Sequence, residues 1–95
     1  MKLLYKKLLY DFKEKYADAR SQIESWEVEV EEAQWNTPND LKKRYPKASL
    51  VGNQKVIFNI CGNKYRLLVQ INYKNGIVLI QKIGTHKEYD NWKLT

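Results

Sequence analysis

His86 and Tyr89 stand three positions apart near the end of the chain, and earlier Lys64 and Arg66 alternate with Tyr65 and Leu67. A histidine, with an ordinary pKa of about 6.5, can give or take a proton near neutrality. One helical turn would bring Tyr89 to the same side. The planar fork of Arg66 matches two oxygens of a phosphate and does not lose its charge, while Lys64 and Lys82 would add point charges beside it. Asn59 could orient a phosphate or read a base edge. These side chains suit the metal-free cutting of RNA. There the 2′-hydroxyl attacks its own phosphate, a base takes its proton, an acid protonates the leaving 5′-oxygen, and cations hold the charge that grows on the phosphoryl oxygens. On the residues alone, His86 is better read as a histidine tying down the C-terminal turn, and Tyr89 divides evenly between proton donor and plug of the sheet's end. Asp90 reads as a local cap or a partner of a nearby cation. Trp92 reads as packing against the fold, and residues 93–95 are expected to fray.

Strands must carry these groups. From 64 to 73, Tyr65, Leu67, Val69, Ile71 and Tyr73 take one phase, and Lys64, Arg66, Gln70 and Asn72 the other, with only Leu68 among them. That is the period of a strand with one buried face. Residues 55–60 repeat it, Val56, Phe58 and Ile60 against Lys55, Ile57 and Asn59. Asn75 and Gly76 supply a hairpin turn, because both tolerate positive φ. Residues 77–83 are nearly all apolar, as expected of a central strand, and Lys82 is their one charge. The pattern predicts an antiparallel meander whose polar face gathers Lys55, Asn59, Lys64, Arg66 and Lys82.

Ahead of the meander, Leu3, Leu4, Leu8, Leu9, Phe12 and Tyr16 recur at helical spacing and predict a helix over 6–16. Residues 1–5 could extend that helix or form a short strand. Ala17 and Asp18 make a break, and Ala19, Ile23, Trp26, Val30 and Ala33 mark a second helix reaching about Gln34. Its acids Glu24, Glu27, Glu31 and Glu32 read first as a solvated face, with docking of a basic partner as an alternative. Thr37 can cap a short helix with Pro38 at its first position and Asp40 three residues after the cap. Pro46 ends it. Lys42, Lys43, Arg44 and Lys47 then place four cations around Tyr45, a cluster suited to RNA phosphates. Tyr45 itself reads first as a core anchor. A brief strand over 48–51 and a turn at Gly52 and Asn53 lead into the meander.

With 95 residues the chain makes one domain over 1–95, and 43% hydrophobic with 29% charged residues excludes general disorder. The lone Cys61 excludes an internal disulfide and, with a single histidine, a zinc site, so no metal or cofactor is expected and a reducing cytosolic, cytoplasmic setting is. No membrane span or signal-peptide pattern is present. The net charge of +6 is divided +3 over 1–10, −5 over 11–34 and +8 over 35–95. Such a split predicts an acidic helical layer behind a basic sheet that attracts a polyanion.

The ordered motifs W-N-T-P-x-D-L-K at 35–42, Y-P at 45–46, F-N-I-x-G-N-K-Y-R-L at 58–67, I-x-Y at 71–73 and G-T-H-x-E-Y-D at 84–90 closely resemble the HigB family of host-inhibition toxins, within the RelE-like superfamily of mRNA interferases. The resemblance covers essentially the whole chain. It implies an α+β fold, a small antiparallel sheet backed by two N-terminal helices, with residues 1–5 as a short strand. It further implies ribosome-associated cleavage of messenger RNA and neutralisation by a HigA-type helix-turn-helix antitoxin, through which operator DNA is reached only indirectly. It reverses the reading of His86, which joins Arg66, Tyr89 and Lys64 as catalytic candidates. Lys42, Lys43, Arg44, Lys47, Lys55, Asn59 and Lys82 are the candidate RNA contacts. A non-catalytic RNA- or ribosome-binding module and an interaction subunit using the acidic helices are the competing readings. An RNA-recognition motif is disfavoured, because both long helices precede the sheet.

Overall fold

The computed structural model describes residues 1–92, so the expectation for 93–95 lies outside the described residues. The chain runs β1 (Lys2–Leu4), α1 (Lys7–Lys15), a 3-10 turn (Ala17–Ala19), α2 (Arg20–Glu32), α3 (Pro38–Arg44), β2 (Ser49–Leu50), β3 (Lys55–Ile60), β4 (Tyr65–Asn72), β5 (Ile77–Thr85) and α4 (His86–Tyr89). This is the expected α+β fold. Its sheet has the order β1-β5-β4-β3-β2. The expectation of an antiparallel sheet holds for β2 to β5 and is corrected at the edge, where β1 lies parallel to β5 with Leu3 opposite Val78. Residues 2–4 therefore belong to the sheet and not to α1. Tyr5, at φ 66, makes the left-handed corner between them. Leu3 and Leu4 thus leave the helical repeat for β1, and within α1 Leu9 and Phe12 are buried while Leu8 stays exposed.

The core lies between the sheet and the two long helices. Ile23, Trp26 and Val30 of α2 meet Val56, Phe58, Leu67 and Val69, the phase that alternation assigned to the buried face, together with Val78 and Ile80 of the apolar β5. One bulge adjusts the register. Leu68 pairs with Lys82 and Val69 with Ile80, so Gln81 is the extra residue on β5. The bulge lets Ile80 and Ile83 both point to the helices although they are three residues apart. Gln81 and Lys82 are left to the opposite, open face.

The acidic layer behind the sheet is largely neutralised from within the chain. Lys13, itself buried, reaches Glu24 and Glu27 at 3.4 Å each, and Lys6 reaches Glu31 at 2.9 Å. Removing Lys13 would strand the buried Glu27 carboxylate, a kind of change that commonly costs about 3–5 kcal/mol. The acids of α2 are thus tied into the fold more than they form the free patch a basic partner would need.

Candidate active site on the open face of the sheet

Cross-strand pairing sets Asn59, Arg66 and Gly84 in one row on the open face. A Cβ on Gly84 would come within 3.2 Å of both Glu88 and Trp92, a tight contact that their side chains would have to relieve by a few tenths of an ångström. With glycine there, α4 folds back over the sheet without that adjustment. A capping box starts that turn: Thr85 Oγ1 accepts from the Glu88 amide at 3.2 Å, and Glu88 Oε1 accepts from the Thr85 amide at 3.0 Å. The backbone bond from Thr85 is the largest of the effects that hold the Glu88 carboxyl below its ordinary pKa. The His86 amide also donates to Lys64 O at 3.0 Å, fastening α4 to the hairpin between β3 and β4.

This fold-back assembles the site. The Arg66 guanidinium lies 5.1 Å from the centre of the Tyr89 ring. His86 and Tyr89 meet edge to face at 6.0 Å, and Tyr89 meets Trp92 at 5.5 Å. His86 Nδ1 is 3.4 Å from Asp90 Oδ2, which makes the carboxylate a partner for a protonated ring, and the imidazole is 51% exposed. Arg66, read from the sequence as lying on a solvent-facing phase, is only 9% exposed. The correction has a structural cause: α4 covers it, and Asn63 holds it, Nη1 donating to Asn63 O at 2.9 Å and Nη2 to Asn63 Oδ1 at 3.4 Å. Nη1 also reaches Tyr65 O at 3.4 Å. Among the described residues three of the five guanidinium donors are thereby used, and Nε–H and one Nη2–H, a pair that can grip two oxygens side by side, make no bond.

The other candidates divide. Asn59 sits on the strand next to Arg66, and Lys82 is exposed on the same face with Nζ 5.7 Å from the Trp92 ring centre. Lys55 is on this face too, opposite Gln70 at the far end of β3. Lys64 does not join them. It lies in the hairpin, and its Nζ turns to Asp18 in the 3-10 turn. The pairing raises the Lys64 pKa and lowers that of Asp18, the hydrogen bond between them being the first cause of each shift. Lys42 is also committed, donating to Pro46 O at 2.6 Å and Ala48 O at 2.7 Å, so it fastens the connection after α3. Arg44 and the Tyr45 hydroxyl both bind Glu29. Burial, with this bond second, pushes the Tyr45 hydroxyl far up from its ordinary pKa, in keeping with its reading as an anchor. Lys43 and Lys47 are exposed. Among the described residues no three His, Cys, Asp or Glu side chains stand close enough to share a metal ion.

Two contributors escaped the sequence reading. Thr85-x-x-Glu88 carries the spacing of a capping box and was legible as a helix start. Asn63 gave no signal beyond its place in a turn, because its value lies in reaching Arg66.

Residues 19–92, which contain this entire constellation, match the family model HigB_toxin, described as the RelE-like toxic component of a toxin-antitoxin system. The chain belongs to the HigB toxin family. It is similar over 92 residues, at 26% identity, to the mRNA interferase toxin HigB of Escherichia coli K12, with 95% of this chain and 88% of the relative covered. The mRNA interferases HigB of Escherichia coli O157:H7 and of Shigella flexneri match at the same identity and coverage. Membership implies an antitoxin partner. No helix among the described residues is long and apolar enough to cross a membrane.

Proposed function

We propose that this HigB-family toxin is an endoribonuclease that cuts messenger RNA on the ribosome in the cytoplasm, by attack of the 2′-hydroxyl and without a metal ion. The observation that carries the reading is the stacking of Tyr89 on a buried Arg66 whose Nε–H and second Nη2–H make no bond among the described residues, with His86 beside the same ring. Arg66 holds the phosphate and the charge that develops on it. His86 and Tyr89 share the two proton transfers, with Asp90 Oδ2 3.4 Å from His86 Nδ1 orienting the ring. Asn59 and Lys82 flank the phosphate, and Lys43, Lys47 and Lys55 steer the polyanion. A HigA-type antitoxin is the neutralising partner.

Purified protein on programmed ribosomes tests this, with the ends of the cut message identified chemically. Attack by the 2′-hydroxyl leaves a 2′,3′-cyclic phosphate upstream and a 5′-hydroxyl downstream. A 5′-phosphate downstream would show that water was the nucleophile and refute the mechanism. Growth arrest on induction with intact message would favour a module that binds and does not cut.

A further inference from the structure

The turn that joins β3 to β4, residues 61–64, supports both halves of the site. Every hydrogen bond that the Arg66 guanidinium makes among the described residues ends on Asn63 or Tyr65, and the amide of His86, the first residue of α4, ends on the carbonyl of Lys64. A displaced turn would misplace both. The turn does little to fix itself: its internal backbone bond runs from Lys64 N to Cys61 O at 3.2 Å. Cys61 and Gly62 stand at φ 53 and 67, a left-handed pair that only the glycine adopts without strain.

What seats it is the start of α2. Asp18, in the 3-10 turn, and Gln22, in the first turn of α2, stand four residues apart and so face the same way. Asp18 Oδ2 accepts from Lys64 Nζ, and Asp18 Oδ1 accepts from the Tyr65 hydroxyl at 2.7 Å. The Asp18 carbonyl takes the Cys61 thiol at 3.5 Å, and Gln22 Oε1 takes the Cys61 amide at 2.7 Å. These four bonds grip both ends of the turn from one side. Tyr65 is buried, with its ring 5.2 Å from those of Phe12 and Tyr16. One carboxylate oxygen of Asp18 is thereby moored to the core and the other to the turn. The Lys64 and Asp18 side chains are 61% and 47% exposed, and an ion pair so wetted adds little to stability. A large effect of this pair on rate would therefore come from placement and not from unfolding.

Resting on the nuclease reading above, we infer that Asp18 is a positioning residue of the cleavage reaction: with Gln22 it seats the turn so that Asn63 and Lys64 hold Arg66 and His86 in fixed relation to one another. Lys64 takes part through its carbonyl and through Asp18, and its ammonium does not touch the phosphate.

Single-turnover cleavage on programmed ribosomes, taken well below each variant's melting point and across ribosome concentration, separates the rate constant at saturation from the half-saturating concentration. Asp18→Ala and Lys64→Met should each lower the rate constant about ten- to a hundred-fold, the scale of a small misplacement of catalytic groups. The half-saturating concentration and its salt dependence should stay as in the wild type. The double variant should be no slower than the slower single one, because both changes cut the same link. Effects that multiply would overturn the inference. So would a raised half-saturating concentration with a weaker salt dependence in Lys64→Met, which would put the ammonium on RNA. A role in folding alone would lower the amplitude of cleavage in Asp18→Ala at an unchanged rate constant, and that result also refutes the positioning role. Asp18→Asn, which keeps an acceptor for Tyr65 and loses the ion pair, is read by the same criteria if the alanine variant does not fold. Wild type that cuts no message removes the nuclease reading and the positioning role together, whereas any of the refuting results on active protein removes the positioning role alone.

Discussion

Arg66→Lys separates the need for a fork from the need for a charge. In the wild type one edge of the guanidinium is fixed by Asn63 and the remaining Nε–H and Nη2–H point elsewhere. A lysine ammonium cannot hold Asn63 and present two parallel donors at once. Loss of one donor to a developing oxyanion commonly costs a factor of about a hundred or more in rate. Arg66→Lys should therefore slow single-turnover cleavage on programmed ribosomes by about that factor, and Arg66→Ala by more. Stability changes too, because Arg66 is buried. Arg66→Ala removes three hydrogen bonds and the Tyr89 stack, but Asn63 is exposed and rehydrates. The net loss is about 1.5 kcal/mol, or roughly 6–12 °C in Tm for a domain of this size. Rates must be compared below the lower melting point, on protein shown to be folded. Cleavage by folded Arg66→Lys at the wild-type rate would refute the fork, and an unchanged Tm in Arg66→Ala would refute the structural part of the argument.

His86→Gln should weaken cleavage and flatten its pH dependence near neutrality, whereas Tyr89→Phe should lower the rate with the profile kept; wild-type rates and profiles in both would reduce the pair to packing. Thr85→Ala removes the side-chain half of the capping box, worth about 1 kcal/mol, and should lower cleavage through misplacement of His86 and Tyr89 while kinetics at saturating ribosome report the loss in kcat. An undiminished kcat would detach the cap from the site. Asp18 has a folded pKa below its unfolded value, so its stabilisation is full above about pH 3.9 and is lost as pH falls through the folded pKa. Asp18→Asn should accordingly be less stable than wild type at neutral pH and converge with it in acid, as followed by urea melts; parallel curves down to the lowest pH would show that the Lys64 and Tyr65 bonds contribute nothing.

Local chemistry was written in the sequence. Alternation in β3 and β4, the Thr37 capping box with Pro38, and the apolar face of α2 each depend on residues a few positions apart, and each formed as that spacing requires; the hairpin after β4 instead closed through residues 73–76, with positive φ at Gly76 and not at Asn75. The order of the motifs was enough to give the family. What tertiary structure alone decided involves partners remote along the chain. Residues 2–4 became a strand because β5 offered a parallel edge to pair with, a choice that propensity left open. Lys64 left the polar face because Asp18, 46 residues before it, drew its ammonium across the hairpin. Arg44 was taken by Glu29 in the same way, and Lys42 by carbonyls its own chain presents only after turning at Pro46. Arg66 was buried because α4 docks over the sheet and sets Tyr89 against the guanidinium, with Asn63 holding its other edge. A charge on one phase of a strand is a local fact; which opposite charge or ring meets it is fixed only when separate elements dock, since a few ångströms decide whether a cation binds its own fold or stays free for RNA.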